Sequence, residues 1–186
     1  MGRYRTIVAD PPWPQLHGGG RSRSMKGEWA AGPGYVSDIP YSPLTVDEIK
    51  CVPVDELAEA NAHLYLWTTN QFLESAYAVA RAWGFRPSIL LTWCKTPRGI
   101  GFGGAFTIST EFVLFCRRGS LRPLRRLDST WWQWPRGAHS AKPEAFIDLV
   151  EQVSPPPYVE LFARRHRLGW DVHGFESANT AQWGAG

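Results

Sequence analysis

Two prolines directly after an acid fix where the first strand of this chain must stop. Thr6-Ile7-Val8-Ala9 is a short, β-prone apolar run of the kind buried on both faces of a sheet, and Asp10-Pro11-Pro12-Trp13 ends it abruptly. A carboxylate thus stands at the carboxyl end of a strand, where open α/β sheets place their chemistry. Pro11 biases Asp10 toward extended geometry. Neither proline carries an N–H, so backbone carbonyls are the main polar groups of this edge. A carboxylate and a neighbouring proline carbonyl can each accept one hydrogen of an exocyclic nucleobase amine, and Trp13 offers a face on which the base can stack. The plainer reading of the same four residues is a strand ending in an ordinary turn, and only the rest of the chain separates the two.

The remaining chain reads as strands alternating with helices. Residues 62–68, 88–93, 111–116 and 158–162 are apolar runs of strand length. Thr45-Val46-Asp47-Glu48 has the form of a capping box that opens a short helix. Residues 72–83 form an amphipathic helix with Gly84 just past its end. Phe146, Ile147, Leu149, Val150 and Val153 recur at helical spacing after Pro143, which suits a first helical position, and Ser154-Pro155-Pro156-Pro157 stops that helix. Trp131-Trp132-Gln133-Trp134 reads as an edge strand or aromatic platform. The pattern predicts one domain over residues 1–186, built on a doubly wound, mostly parallel sheet with ligand loops at the strands' carboxyl ends. At 186 residues the chain can cover such a sheet on both faces. Residues 177–186 read as a polar tail.

Composition narrows the function classes. A net charge of +3 permits a polyanionic partner without requiring one, so the placement of the basic residues matters more than their sum. Residues 14–40 form a long basic loop with Gly18-Gly19-Gly20, Arg21, Arg23 and Lys26. It lacks the Gly-Lys-Ser/Thr ending of a P-loop, and its basic residues are expected to close over a substrate and meet phosphates. Arg117, Arg118, Arg122, Arg125 and Arg126 form a second basic stretch, readable either as a phosphate-contacting patch or as a solvated face. Lys142 sits at a helix N-terminus, where an anion would meet its charge and free backbone N–H groups. Three widely spaced cysteines, an odd number, suggest reduced thiols in a cytoplasmic protein. No metal site is expected from the His and Cys spacing, and no stretch approaches the length of a membrane span.

Taken together these residues resemble the MT-A70 family of adenine-N6 methyltransferases, which use S-adenosylmethionine. The resemblance rests on Asp10-Pro11-Pro12-Trp13, Tyr41 before a capped helix, Leu66-Trp67-Thr68-Thr69, Trp93-Cys94-Lys95-Thr96, Ser140 with Lys142-Pro143-Glu144, Glu160-Leu161-Phe162-Ala163-Arg164 and Gly174-Phe175-Glu176. It implies a Rossmann-like class I methyltransferase fold in permuted order, with the catalytic strand ahead of the main cofactor strand. It also implies Asp10, Pro11, Pro12 and Trp13 as the catalytic edge, with Tyr41 packed against the target adenine; Lys95 and, from the basic loop, Arg21 and Arg23 are the further substrate candidates. Ser140, Lys142, Phe162, Arg164, His166 and Glu176, together with Asp10, would face the cofactor, Lys142 meeting its methionine carboxylate. Phe175 departs from the family pattern, which commonly has Asn there.

The resulting expectation is methylation of adenine N6 in nucleic acid by direct in-line transfer. DNA is favoured over RNA because a compact domain without an RNA-binding extension suits a bacterial or phage modification enzyme. Two rivals stand beside it. Cytosine-N4 methylation presents a similar amine, but such enzymes more often begin the tetrad with Ser and end it with Tyr. A catalytically silent nucleic-acid-binding subunit is opposed by the intact Asp10 and Lys142. A homo-oligomer or a partner subunit would be compatible with the chain.

Overall fold

The computed structural model describes residues 3–14, 22–23, 29–30, 43–96, 106–136, 142–163 and 166–173. Seven strands form its main sheet: β1 (Tyr4–Ala9), β4 (Ala58–Thr68), β5 (Arg86–Thr96), β6 (Thr110–Arg118), β7 (Trp131–Pro135), β8 (Tyr158–Leu161) and β9 (Trp170–His173). Their spatial order is β7-β5-β6-β4-β1-β8-β9, and β6 alone runs antiparallel to its neighbours. Two short strands inside the basic loop, β2 (Ser22–Arg23) and β3 (Trp29–Ala30), pair separately as an antiparallel ribbon. The apolar β1 lies centrally because Ile7, Val8 and Ala9 have no polar side chain to hydrate, and parallel strands flank it on both sides.

Period-two alternation divides the core into two layers. Ile7, Leu64, Leu66, Leu114 and Leu161 face one side. There they meet α1 (Val46–Lys50), α2 (Val54–Leu57) and α3 (Leu73–Ala82) through Ile49, Val54, Val79 and Trp83. Trp83 is fully buried at no polar cost because its indole N–H donates to the Ile49 carbonyl (3.0 Å). Val8, Tyr65, Trp67, Trp93 and Val113 face the other side, where α4 (Glu144–Val153) contributes Phe146, Ile147 and Val150. The Thr45 capping box is present with both reciprocal bonds, and Gly84 ends α3 with φ +77°, a conformation costly for any residue with a Cβ.

The doubly wound expectation holds, and three local expectations change. Pro143 is the N-cap of α4, one position before the first helical residue. Residues 170–173, outside the runs read as strands, form β9 and extend the sheet beside β8. Tyr4 helps to fasten this added strand, its hydroxyl donating to Asp171 Oδ2 (2.6 Å). Burial, with the carboxylate's help, pushes the Tyr4 phenol up to about 12. Finally, no helix joins β6 to β7, so among the described residues α4 is the only helix on its face. Among the described residues the β5–β6–β7 part of that face carries no helix.

This topology locates a crevice. The chain leaves β1 toward β4 on one side, whereas it leaves β8 toward β9 on the other, so the connections diverge at the carboxyl ends of two adjacent strands. Asp10 and Phe162 are the residues that emerge there.

Candidate active site

Asp10 follows the last residue of β1, and its backbone N–H still donates to the Leu161 carbonyl of β8 (3.4 Å). The next three residues are clamped. The Trp13 N–H donates to the Pro11 carbonyl (2.8 Å), and the Leu44 N–H donates to the Pro12 carbonyl (2.9 Å). Each carbonyl that was expected to serve as a free acceptor thus uses one lone pair internally and keeps the other. The Trp13 indole N–H donates to the Trp67 carbonyl (3.0 Å), and its ring stacks on Phe72 with centroids 5.5 Å apart and planes 10° from parallel. One face of Trp13 is therefore occupied, and a base would meet only the other.

Beyond Asp10 the site is a row of alternating charges. Lys142 Nζ lies 3.0 Å from Asp10 Oδ2 and 3.1 Å from Glu111 Oε2, and Lys95 bonds the other oxygen of Glu111. The four side chains are between 16% and 20% exposed, so the row is shielded yet still reached by solvent. Two carboxylates against two ammonium groups leave no net charge. Both lysines also sit over aromatic rings, Lys142 over Trp67 at 5.0 Å and Lys95 over Trp93 at 5.1 Å.

The ionisation of the row follows from its pairing. Burial pushes the Lys142 ammonium down, but the carboxylates of Asp10 and Glu111 outweigh it and hold its pKa above the ordinary lysine value. Burial likewise pushes Glu111 up, but Lys142 and Lys95 outweigh it, and its carboxyl titrates below its usual range. Lys142 and Glu111 are therefore both charged throughout the neutral range.

Of the residues expected at the site, Asp10, Pro11, Pro12, Trp13, Lys95, Lys142 and Phe162 are gathered at the carboxyl edge of the sheet. Phe162 has φ 62°, in the left-handed region that a β-substituted side chain avoids, at a cost of about 1–3 kcal/mol. That strain lies directly beside Asp10, on the neighbouring strand. His166 is exposed and makes no hydrogen bond or ion pair among the described residues. The adjacent Arg167 is pinned to α4 through Asp148 (2.7 Å) and Glu151 (3.0 Å). Arg23 lies in β2. Tyr41, Arg21, Ser140, Arg164 and Glu176 lie outside the described residues, as do residues 177–186. No candidate metal cluster occurs among the described residues.

Glu111 belongs to the site and was not foreseen. It is the second residue of the antiparallel strand β6, whose amino end lies level with the carboxyl ends of its neighbours. An acid at the start of an apolar run was visible in the sequence, but its meaning depends on strand direction.

The comparisons with known proteins agree with this geometry. The model of the MT-A70 family matches residues 4–176. The chain belongs to the MT-A70 family. It is 30% identical over 190 residues to the type II methyltransferase M.MunI of a Mycoplasma species, an alignment covering 94% of this chain and 78% of that protein. It is 25% identical over 176 residues to an N(6)-adenosine-methyltransferase MT-A70-like protein of Drosophila melanogaster, covering 90% of this chain but 26% of the fly protein. Membership bears out the Rossmann-like fold and the adenine-N6 methyltransferase expected from the sequence. Among the described residues no helix is long and apolar enough to cross a membrane.

The crevice also fits the cofactor such enzymes use. It opens where the connections of β1 and β8 diverge. It is bordered by the strained Phe162 backbone and by Asp10, an acid able to face a cation.

Proposed function

We propose that this MT-A70 member methylates the N6 amine of adenine in DNA, with S-adenosylmethionine as donor and Asp10 accepting a hydrogen bond from the amine. The observation that carries the reading is the Asp10–Lys142–Glu111–Lys95 row, which fixes a carboxylate beside the β1–β8 crevice. DNA is favoured because the chain is more similar to the type II methyltransferase M.MunI, at 30% identity over 190 residues, than to the fly adenosine methyltransferase, at 25% over 176. Three free thiols accord with a reducing compartment such as the cytoplasm.

In this reading Phe162, the Lys142 ammonium and Asp10 border the cofactor, with Ser140, Arg164, His166 and Glu176 as further candidates. The cofactor supplies an electrophilic methyl group on a positively charged sulfur. The chain's own work is positioning. Asp10 Oδ2 is held by Lys142, and the carboxylate accepts one N–H of the adenine amine while a carbonyl of Pro11 or Pro12 accepts the second with its remaining lone pair. Taking both hydrogens as bonds favours a more pyramidal nitrogen and stabilises the positive charge that grows on it. The proton leaves afterwards, to Asp10 or to water. Trp13 and Tyr41 bracket the flipped base, and Lys95, Arg21 and Arg23 serve the surrounding strand.

The deciding experiment incubates the protein with tritiated S-adenosylmethionine and matched DNA and RNA oligonucleotides, digests the product and separates the nucleosides. Label in N6-methyldeoxyadenosine is the expected result. Label in N4-methylcytosine, or in RNA alone, would replace the reading.

A further inference from the structure

The part of the sheet that α4 leaves uncovered is a groove of about 700 Å³. Leu91 of β5, Phe115 of β6 and Trp132 of β7 form its floor, and Arg117, Arg125 and Arg126 stand around it. Against three arginines the lining holds a single acid, Asp128. At its edges Ile89 and Trp131 are 44% and 58% exposed, unusual for large apolar side chains. An apolar, aromatic floor inside a cationic rim matches a ligand with flat faces and distributed negative charge.

The groove is continuous with the active site along one face. Trp132 stacks on Trp134, with centroids 5.7 Å apart and planes 8° from parallel, and Trp134 lies in register with Lys95 of the charged row. On β6, Phe115 and Glu111 point to the same side as Arg117, so the strand runs from the rim to the site within six residues, roughly 20 Å at ~3.4 Å per residue.

We propose that this groove seats the nucleic-acid strand flanking the target base, with Arg125 and Arg126 on its phosphates and Trp132 beneath a base. The proposal rests on the nucleic-acid reading above and adds where the rest of the strand lies. Charge favours this occupant over a second copy of the chain, because self-association through this face would bring two sets of arginines together. Arg118 donates to the Asp55 carbonyl and Arg117 to the Leu121 carbonyl (3.0 Å), so the phosphate contacts fall to Arg125, which also reaches Gln152 (3.5 Å), and Arg126.

The test uses the full chain and a fluorescein-labelled single-stranded adenine-containing DNA oligonucleotide, followed by anisotropy across a salt series. Arg125→Glu/Arg126→Glu should weaken binding about tenfold or more and make the salt dependence shallower by about one to two ions. Trp132→Leu should weaken it by about tenfold with an unchanged salt slope, since stacking releases no counterions. Binding of tritiated S-adenosylmethionine and the elution volume should be unchanged in both variants. Wild-type affinity and slope in the double variant would overturn the groove while leaving the methylation reading intact. A shift from a larger assembly to monomer in the double variant would overturn it in favour of a second copy. A wild-type protein that binds no oligonucleotide would overturn both.

Discussion

Helix α4 has a polar network at each end, and the two differ in kind. At its N-terminal end the Asp10–Lys142–Glu111–Lys95 row is joined by ion pairs and about one-fifth open to solvent. At its C-terminal end Ser154, the C-cap residue, accepts or donates bonds with His63 Nδ1 (2.8 Å) and the Tyr65 hydroxyl (2.7 Å), and His63 Nε2 faces the Leu121 carbonyl (3.2 Å). This second network is neutral and sealed, with His63 fully buried. The helix ends would favour anions at the first site and a cation at the second. At the first site that preference agrees with two carboxylates. At the second, burial overrides it and pushes the His63 imidazole down to about 4, against the opposing pull of the Leu121 carbonyl and helped by nearby Arg117. A protein that leaves charges at an accessible strand edge while neutralising a histidine at the sealed end separates reactivity from stability along one helix.

The sharpest way to break that separation is Asp10→Asn. Lys142 keeps Glu111 as a partner in this variant, so the fold and cofactor binding should persist while methyl transfer falls by about a thousandfold or more. Tritium transfer to DNA, measured beside equilibrium binding of the labelled cofactor and a thermal melt, checks it. Substantial residual transfer would remove Asp10 from the chemistry. Glu111→Gln is a smaller perturbation, because Glu111 acts on Asp10 only through Lys142. A loss of about tenfold to a hundredfold in kcat with little change in the cofactor Kd is expected. The acid side of the stability profile should change with it. The Glu111 carboxyl is held below its usual range, so its contribution is present above the unfolded value and lost as pH falls through the folded one. In the Gln variant that low-pH loss should disappear, and an unchanged acid limb would show that the row does not act as a unit.

What could be read from the sequence was local. The strand stop at Asp10-Pro11-Pro12, the capping box at Thr45 and the Gly84 helix end are fixed by neighbouring residues, and each is present. Features that needed distant partners were not legible. Glu111 becomes a site residue only because β6 runs against its neighbours, and Trp170–His173 becomes a strand only because β8 offers it an edge. Lys142 was placed correctly at the head of α4, but its two carboxylate partners lie 132 and 31 positions away in sequence, since 142 − 10 = 132 and 142 − 111 = 31. Trp13 was read for its exposed ring. Its contact with Phe72 depends on how the β4–α3 connection folds back.

The smallest effect sharpens the comparison from the sealed end. His63 is neutral in the fold and takes up a proton more readily when unfolded, so the unfolded state gains protons first as the solution is acidified. Its contribution is therefore fully present above about pH 6.5 and is lost progressively as pH falls toward 4, on the order of 2–3 kcal/mol over that window. Glu111 acts below its ordinary value of 4.5, so the two windows barely overlap. His63→Gln retains groups able to hydrogen bond with Ser154 and Leu121 but cannot titrate. At pH 7 it should cost about 1–2 kcal/mol, and between pH 6.5 and 4.5 its melting temperature should fall less steeply than that of the wild type. The kcat at pH 7.5 should stay within about twofold, because no bond links His63 to the charged row. Parallel pH slopes in the two proteins would mean that the imidazole is already protonated in the fold, and the two ends of α4 would then be alike in charge.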